Sequence, residues 1–162
     1  RLDPGLAFGT GTHPTTRMCL RWVATHAAQP RVLDYGCGSG ILAIGAAKHG
    51  ATAVDAVDID PAAVESTVAN AQTNHVALTA GLPDQAKGQY DVVLANILAT
   101  PLKVLAPLLC AHVAGGGSLV LAGILARQAQ ELQDAYQPYM VEGRQLTVSD
   151  SEDGWVLMTA GF

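Results

Sequence analysis

Apolar residues fall along this chain in short runs, and the segments between the runs alternate apolar and polar positions at helical spacing. The runs RVLDY (31–35), AVDAVDI (53–59), YDVVLAN (90–96) and GSLVLAGI (117–124) have strand length and are nearly continuous, the pattern of strands buried on both faces. VALTA (76–80) is a weaker run of the same kind. PTTRMCLRWVATH (14–26) predicts a helix, with Pro14 at its first position and Met18, Leu20, Trp22 and Val23 as apolar contacts. ILAIGAAKHG (41–50) predicts a helix stopped by Gly50, and PAAVESTVANAQTN (61–74) one with Asp60 as N-cap and Pro61 at its first position. PLKVLAPLLCAHV (101–113) predicts a helix kinked at Pro107, and a last helix covers roughly 126–136. GRQLTVS and GWVLMTAGF flank DSEDG (150–154), which reads as a hairpin turn. The alternation predicts an α/β fold, a doubly wound, mostly parallel seven-stranded sheet with a terminal antiparallel hairpin. Ligands of such sheets bind beyond the carboxyl ends of the strands, where the strand order reverses.

Composition narrows the classes. The 162 residues suit one domain, and with 49% hydrophobic but only 5% aromatic residues, Ala, Val and Leu must fill most of the core. Apolar stretches end well short of the roughly 20 residues of a membrane span, and no secretory leader pattern opens the chain. A net charge of −5 without a Lys/Arg cluster argues against direct binding of nucleic acid. Three scattered cysteines and five dispersed histidines predict no disulfide framework and no metal site, and a reducing cytoplasm is the expected location.

The chemistry gathers at strand ends. VLDYGCGSGIL (32–42) turns from the first strand into a helix through Gly36, Gly38 and Gly40. Glycine permits positive φ and close approach of a ligand. A nicotinamide-binding turn would carry its third glycine at position 41, which is Ile. Asp58 lies 22 positions after Gly36, a separation at which a carboxylate can accept both hydroxyls of an adenosine ribose; a polar strand end is the blander alternative. Asp34 ends the first strand, where an unpaired acid costs stability, so either a cationic ligand or the amides of the turn should satisfy it. The turn offers no Lys or Arg to phosphates. Adenosine, a positive centre and no phosphate describe S-adenosylmethionine (SAM).

Four motifs then occur in order: DPGLAFGTGTHPTT (3–16), VLDYGCGSGILAI (32–44), DIDPAAVESTVANAQTN (58–74) and VLANILATPL (93–102). Together they resemble the PrmA-type bacterial methyltransferases, which modify the eleventh protein of the large ribosomal subunit. The resemblance covers essentially the whole chain and implies a Rossmann-like class I SAM-dependent methyltransferase domain. It also implies a small N-terminal domain that recognises the ribosomal protein, absent from this sequence, which opens at Arg1. Carried over by motif, Thr16, Gly36, Asp58 and Asn96 match the family's cofactor contacts, and Gly38, Asp34 and Ile59 complete the candidate set around them. The loop FGTGTHPTT leads into a helix N-terminus able to receive a carboxylate, which makes Phe8, Gly9 and Thr10 further candidates. Phe8 is equally an apolar loop anchor, and His13 is a candidate base or a helix-entry residue.

Asn96 is the candidate catalytic residue, its side-chain oxygen orienting the N–H groups of an incoming amine with help from the Ile97 carbonyl. Ile97-Leu98-Ala99 replaces the Pro-Pro-aromatic run of related amine and amide methyltransferases, which weighs against planar substrates. The expected reaction is methyl transfer to lysine and N-terminal amines of a ribosomal protein. Alternatives are methyl transfer to another protein or a small amine, and SAM binding without turnover. A dehydrogenase conflicts with Ile41. A serine hydrolase conflicts with Cys37, where its elbow needs glycine.

Overall fold

The computed structural model describes residues 13–26 and 30–162. Helix α1 (Pro14–Thr25) precedes strand β1 (Arg31–Tyr35), which is followed by α2 (Ile41–Lys48), β2 (Ala53–Val57), α3 (Pro61–Thr73) and β3 (Thr79–Gly81). After a polar loop come β4 (Tyr90–Asn96), α4 (Ala99–Val104), α5 (Ala106–Ala111), β5 (Val113–Leu125), α6 (Ala129–Tyr136), β6 (Thr147–Glu152) and β7 (Trp155–Gly161). The seven strands form one sheet in the order β3-β2-β1-β4-β5-β7-β6. β7 runs antiparallel to both of its neighbours, and the other pairings are parallel. This is the expected doubly wound sheet with its terminal hairpin.

Two apolar layers cover the sheet. On one face Val32, Val54, Ala56, Val92 and Leu94 pack with Met18, Cys19 and Val23 of α1 and with α2. On the other, Leu33, Val57, Val93, Ala95 and Leu119 pack with Leu102, Leu109, Leu132 and Tyr136 of α4 to α6. Neighbouring residues of one strand thus serve opposite cores, which explains why the strands read as continuous apolar runs. Chain order reverses between β1 and β4: β2 and β3 lie on one side, β5 and the hairpin on the other. The crevice at their carboxyl ends is where a ligand belongs.

Several elements differ from expectation; β3 and β6 start three and four residues later than the runs at 76 and 143 predicted. The predicted kink at Pro107 is a break, with α4 ending at Val104 and α5 starting at Ala106 from the cap Leu105. Pro107 then sits in a first turn, where its missing N–H leaves no bond unmade. β5 begins at Val113, four residues early, because Tyr90 pairs with Val113 and the register shifts before Val92 pairs with Ser118. The hairpin turn shrinks to Asp153 and Gly154, with φ of 51° and 83°, so Glu152 pairs directly with Trp155. Two consecutive positive φ values are the mark of the two-residue turn whose twist suits a hairpin. Among the described residues no helix is long and apolar enough to cross a membrane.

Candidate active site

The glycine turn is held from three sides. The N–H groups of Gly36 and Cys37 donate to Val57 O at 2.8 and 2.9 Å, tying the end of β1 to the end of β2. Thr67 Oγ1 donates to Gly38 O at 3.0 Å and Asn70 Nδ2 to Ser39 O at 2.9 Å, so α3 fixes the far side. Gly36 has φ +79°, and a Cβ there would stand 2.7 Å from Ile97 Cγ2. Gly38 has φ +55°, and a Cβ there would meet nothing within 4 Å. The first glycine is demanded by packing and the second faces open space, which is the candidate cavity.

That cavity has a volume of about 320 Å³, and Thr16, Asp34, Gly36, Gly38, Ser39 and Asn96 contribute to its wall. It therefore brings together residues from α1, β1, the turn and β4, as the motifs implied. Thr16 is fully buried in the first turn of α1. Asn96, the last residue of β4, donates from Nδ2 to Thr16 Oγ1 over a long 3.5 Å, while its Oδ1 is buried and has no hydrogen-bond partner. Ser39 Oγ is a second buried atom without a partner on this wall. Buried polar atoms are seldom left so, and two at one cavity mark a place built for a polar ligand.

Asp34 is 1% exposed and accepts one bond, from Ala43 N–H to Oδ2 at 3.2 Å. Burial pushes its carboxyl up to about 7; the charge of Asp58 adds to the rise, and the Ala43 bond opposes it. Asp58 itself does not line the cavity. Its Oδ2 accepts from Gly38 N–H and its Oδ1 from Asp60 N–H, both at 3.0 Å, so in this chain it braces the turn. Each oxygen keeps a lone pair for a further donor. Ile59 is 81% exposed beside it. Phe8, Gly9 and Thr10 lie outside the described residues.

A second cavity of about 440 Å³ shares Asn96 with the first. Its walls are mostly apolar: Ile97, Leu98, Pro101 and Trp155, closed by His13 and Thr15 of the α1 entrance. His13 caps α1, its Nδ1 accepting from Thr15 N–H at 3.2 Å, and its ring meets Trp155 edge-on with centroids 5.3 Å apart. That bond engages Nδ1 in the helix cap. The helix-entry role thus fits His13 better than a base. Gly123, at a register shift of β5 against β7, has φ +90°, and a Cβ there would fall 2.1 Å from Ile97 O. The bulge needs glycine to let the chain after Asn96 pass. Sequence reasoning missed Ser39 and Trp155. Ser39 sat in plain view within the turn, whereas Trp155 arrives from the terminal hairpin without a local signal. That hairpin is tied to α1 by ion pairs of Arg17 with Glu152 and of Arg21 with Asp150 and Glu152.

Burial, chiefly, pushes the Cys37 thiol up to about 12, far from a nucleophilic thiolate. Among the described residues no three His, Cys, Asp or Glu side chains gather to hold a metal.

Residues 1–161 match the model of the family described as ribosomal protein L11 methyltransferase (PrmA). The chain belongs to this family. It is 74% identical to the ribosomal protein L11 methyltransferase of a Polaromonas species, over 100% of this chain and 54% of that relative. The chain spans about half the length of the curated relatives it matches. Its fold superposes on the crystal structure of the ribosomal protein L11 methylase of Lactobacillus delbrueckii subsp. bulgaricus with a TM-score of 0.85, at 31% identity over 99% of this chain and 82% of that one. A methyltransferase solved in complex with S-adenosylhomocysteine (SAH) shares the fold alone, at 12% identity and a TM-score of 0.74 over 94% of this chain and 50% of that one.

Proposed function

We propose that this chain is the catalytic domain of a SAM-dependent N-methyltransferase acting on lysine and N-terminal amines of the L11 ribosomal protein. In this reading a recognition domain elsewhere in the protein presents the substrate, and the reaction takes place in the cytoplasm. The observation that carries the reading is Asn96, which lines both a polar and an apolar cavity and whose Oδ1 is buried without a partner. The family membership and the family's name support the substrate.

The polar cavity fits SAM. It offers an open glycine turn, the N-terminus of α1 for a carboxylate, a buried acid for an ammonium and, among the described residues, no lining Lys or Arg for phosphates. Thr16, Asp34, Gly36, Gly38 and Asn96 would hold it, with Asp58 and Ile59 at the adenosine end and Phe8, Gly9 and Thr10 from the preceding loop. When bound, SAM supplies a methyl group on a positively charged sulfur, already activated for transfer.

The chain's own part is placement. The apolar cavity takes the aliphatic arm of the substrate and excludes water from the amine. Asn96 Oδ1, with the Ile97 carbonyl, accepts the amine's N–H bonds and points its lone pair toward the polar cavity. A lysine amine has to lose a proton first, from a reference pKa near about 10.4. Entry into the apolar cavity favours the neutral amine, so desolvation takes the place of a dedicated base.

The test is methyl transfer from labelled SAM to the L11 protein by the full-length enzyme and its Asn96→Ala variant, with SAH affinity measured in parallel. Lost turnover with retained SAH binding supports the assignment, and full turnover in the variant refutes it. A second reading, SAM binding without turnover by this chain alone, is favoured by its spanning about half of its relatives; the same assay on the isolated chain separates the two.

A further inference from the structure

Along the seam between α1 and the terminal hairpin, two spacings of charge match. Arg17 and Arg21 stand one helical turn apart on α1, about 6 Å along its axis. Asp150 and Glu152 stand two residues apart on β6, about 7 Å along the strand. Both acids are half-buried while Ser149 and Ser151 beside them are exposed, so they share the side of β6 turned to the helix. Arg17 Nε donates to Glu152 Oε2 at 2.6 Å, Arg21 Nη1 meets Glu152 Oε1 at 2.9 Å, and Arg21 Nη2 meets Asp150 Oδ2 at 3.0 Å. Each oxygen of Glu152 thus serves a different arginine, which makes a bridged network of the separate pairs.

The network joins the two elements that frame the amine's entry. At the entrance of α1, His13 and Thr15 line the apolar cavity and Thr16 the polar one, and Arg17 is the next residue. On the hairpin, Glu152 pairs in register with Trp155, which lines the apolar cavity. Backbone pairing holds this end of the hairpin unevenly. β7 follows β5 from Gly161 to Met158, the register then shifts, and pairing resumes at Val156 and Trp155. Ala126 N–H donates to Gly154 O at 2.9 Å on the β5 side. On the α1 side Leu157 packs into the layer of Met18 and Cys19, and beyond it the ion pairs and the edge-on contact of His13 with Trp155 tie the tip. Exposed ion pairs add little to global stability, so a network placed here acts on where its two elements sit more than on whether they fold.

We propose that Arg17, Arg21, Asp150 and Glu152 are positioning residues for methyl transfer: they fix the entrance of α1 against the hairpin and so set the width of the apolar cavity between His13 and Trp155. None of the four lines the polar or the apolar cavity. The inference rests on the reading of the apolar cavity as the amine's entry and adds what holds that entry in shape. A misplacement of about 1 Å in such a wall can cost about a hundredfold in rate, so a small movement of the hairpin is enough to register in turnover.

The experiment is steady-state methyl transfer from labelled SAM to the L11 protein by the full-length enzyme, with SAH calorimetry and thermal melting of the same samples. Glu152→Gln removes the charge that both arginines share. It should lower kcat/KM for the L11 protein about fivefold, chiefly through a raised KM, with SAH affinity within about twofold and the melting temperature within about 4 °C of the unaltered enzyme. Arg21→Asp should raise KM further, and Asp150→Arg added to it should bring KM back, because the reversed pair rebuilds the bridge. Unchanged kinetic constants in Glu152→Gln, or a loss of SAH affinity as large as the loss in kcat/KM, overturns the inference and leaves the catalytic reading intact. A folded reversed pair without recovery does the same. An unaltered enzyme that transfers no methyl group to the L11 protein refutes the catalytic reading, and the inference falls with it. If Arg21→Asp folds poorly, Glu152→Gln decides alone, since it keeps the size of the original side chain.

Discussion

The two cavities that meet at Asn96 are built in opposite ways. The polar one is largely local: residues 34–42 form the turn and much of the wall, and α3, which follows β2 after three residues, braces it. Its polar character comes from backbone, hydroxyls and one stranded acid. The apolar one is assembled from distant pieces, namely the entrance of α1, the chain after β4, the bulge at Gly123 and Trp155 of the terminal hairpin. The first has the means to recognise a fixed small molecule by hydrogen bonds, and the second offers shape and dryness to an alkyl arm. A methyl-transfer site needs both, and needs them adjacent.

Substitutions on each side should separate the two roles. Asn96→Ala removes the group they share and should lower kcat by about two to three orders of magnitude with SAH affinity within a few-fold of wild type, read from single-turnover transfer and calorimetry. Gly123→Ala forces a Cβ into Ile97 O at a left-handed position. It should cost about 3 kcal/mol in denaturant unfolding and damage the apolar cavity first.

Asp34→Asn should act on stability in the other direction. The folded-state pKa of Asp34 is raised to about 7, so between about pH 4 and 7 the folded chain holds a proton that the unfolded chain has lost. Stability thus drains away as pH rises through that window and stays lower above it. The variant lacks this loss and should gain a few kcal/mol at pH 7.5 without ligand, with less gain at pH 5, measured by melting at both pH values. Trp155→Ala, the mildest of the four, should reduce kcat/KM for the protein substrate about tenfold through lost contact with the alkyl arm, with SAH affinity unchanged in parallel titrations.

Legibility in the sequence followed the same division. The buried parallel strands announced themselves, because β1 and β4 serve cores on both faces and so show nearly continuous apolar runs at their observed bounds. Thr16, Asp34, Gly36, Gly38 and Asn96 were legible as a group, since each sits at a strand end or helix start that the pattern locates. Asp58 was legible as an acid at the right place, but its bonds to Gly38 and Asp60 depend on a turn conformation that residue spacing does not encode. The apolar cavity was invisible. Trp155 lies more than 50 positions from Asn96, and a half-buried tryptophan in a hairpin looks the same whether it lines a cavity or merely covers a core. The bulge at Gly123 was equally hidden, because a glycine within an apolar run signals a bulge without saying what passes over it.

The most direct measurement is a crystal structure of the protein with SAH bound. The ligand should lie in the polar cavity, with its amino acid between Thr16 and Asp34 and its sulfur turned toward Asn96 and the apolar side. SAH lodged against Ile97, Leu98 and Trp155, or bound away from the glycine turn, would contradict the division of labour at Asn96.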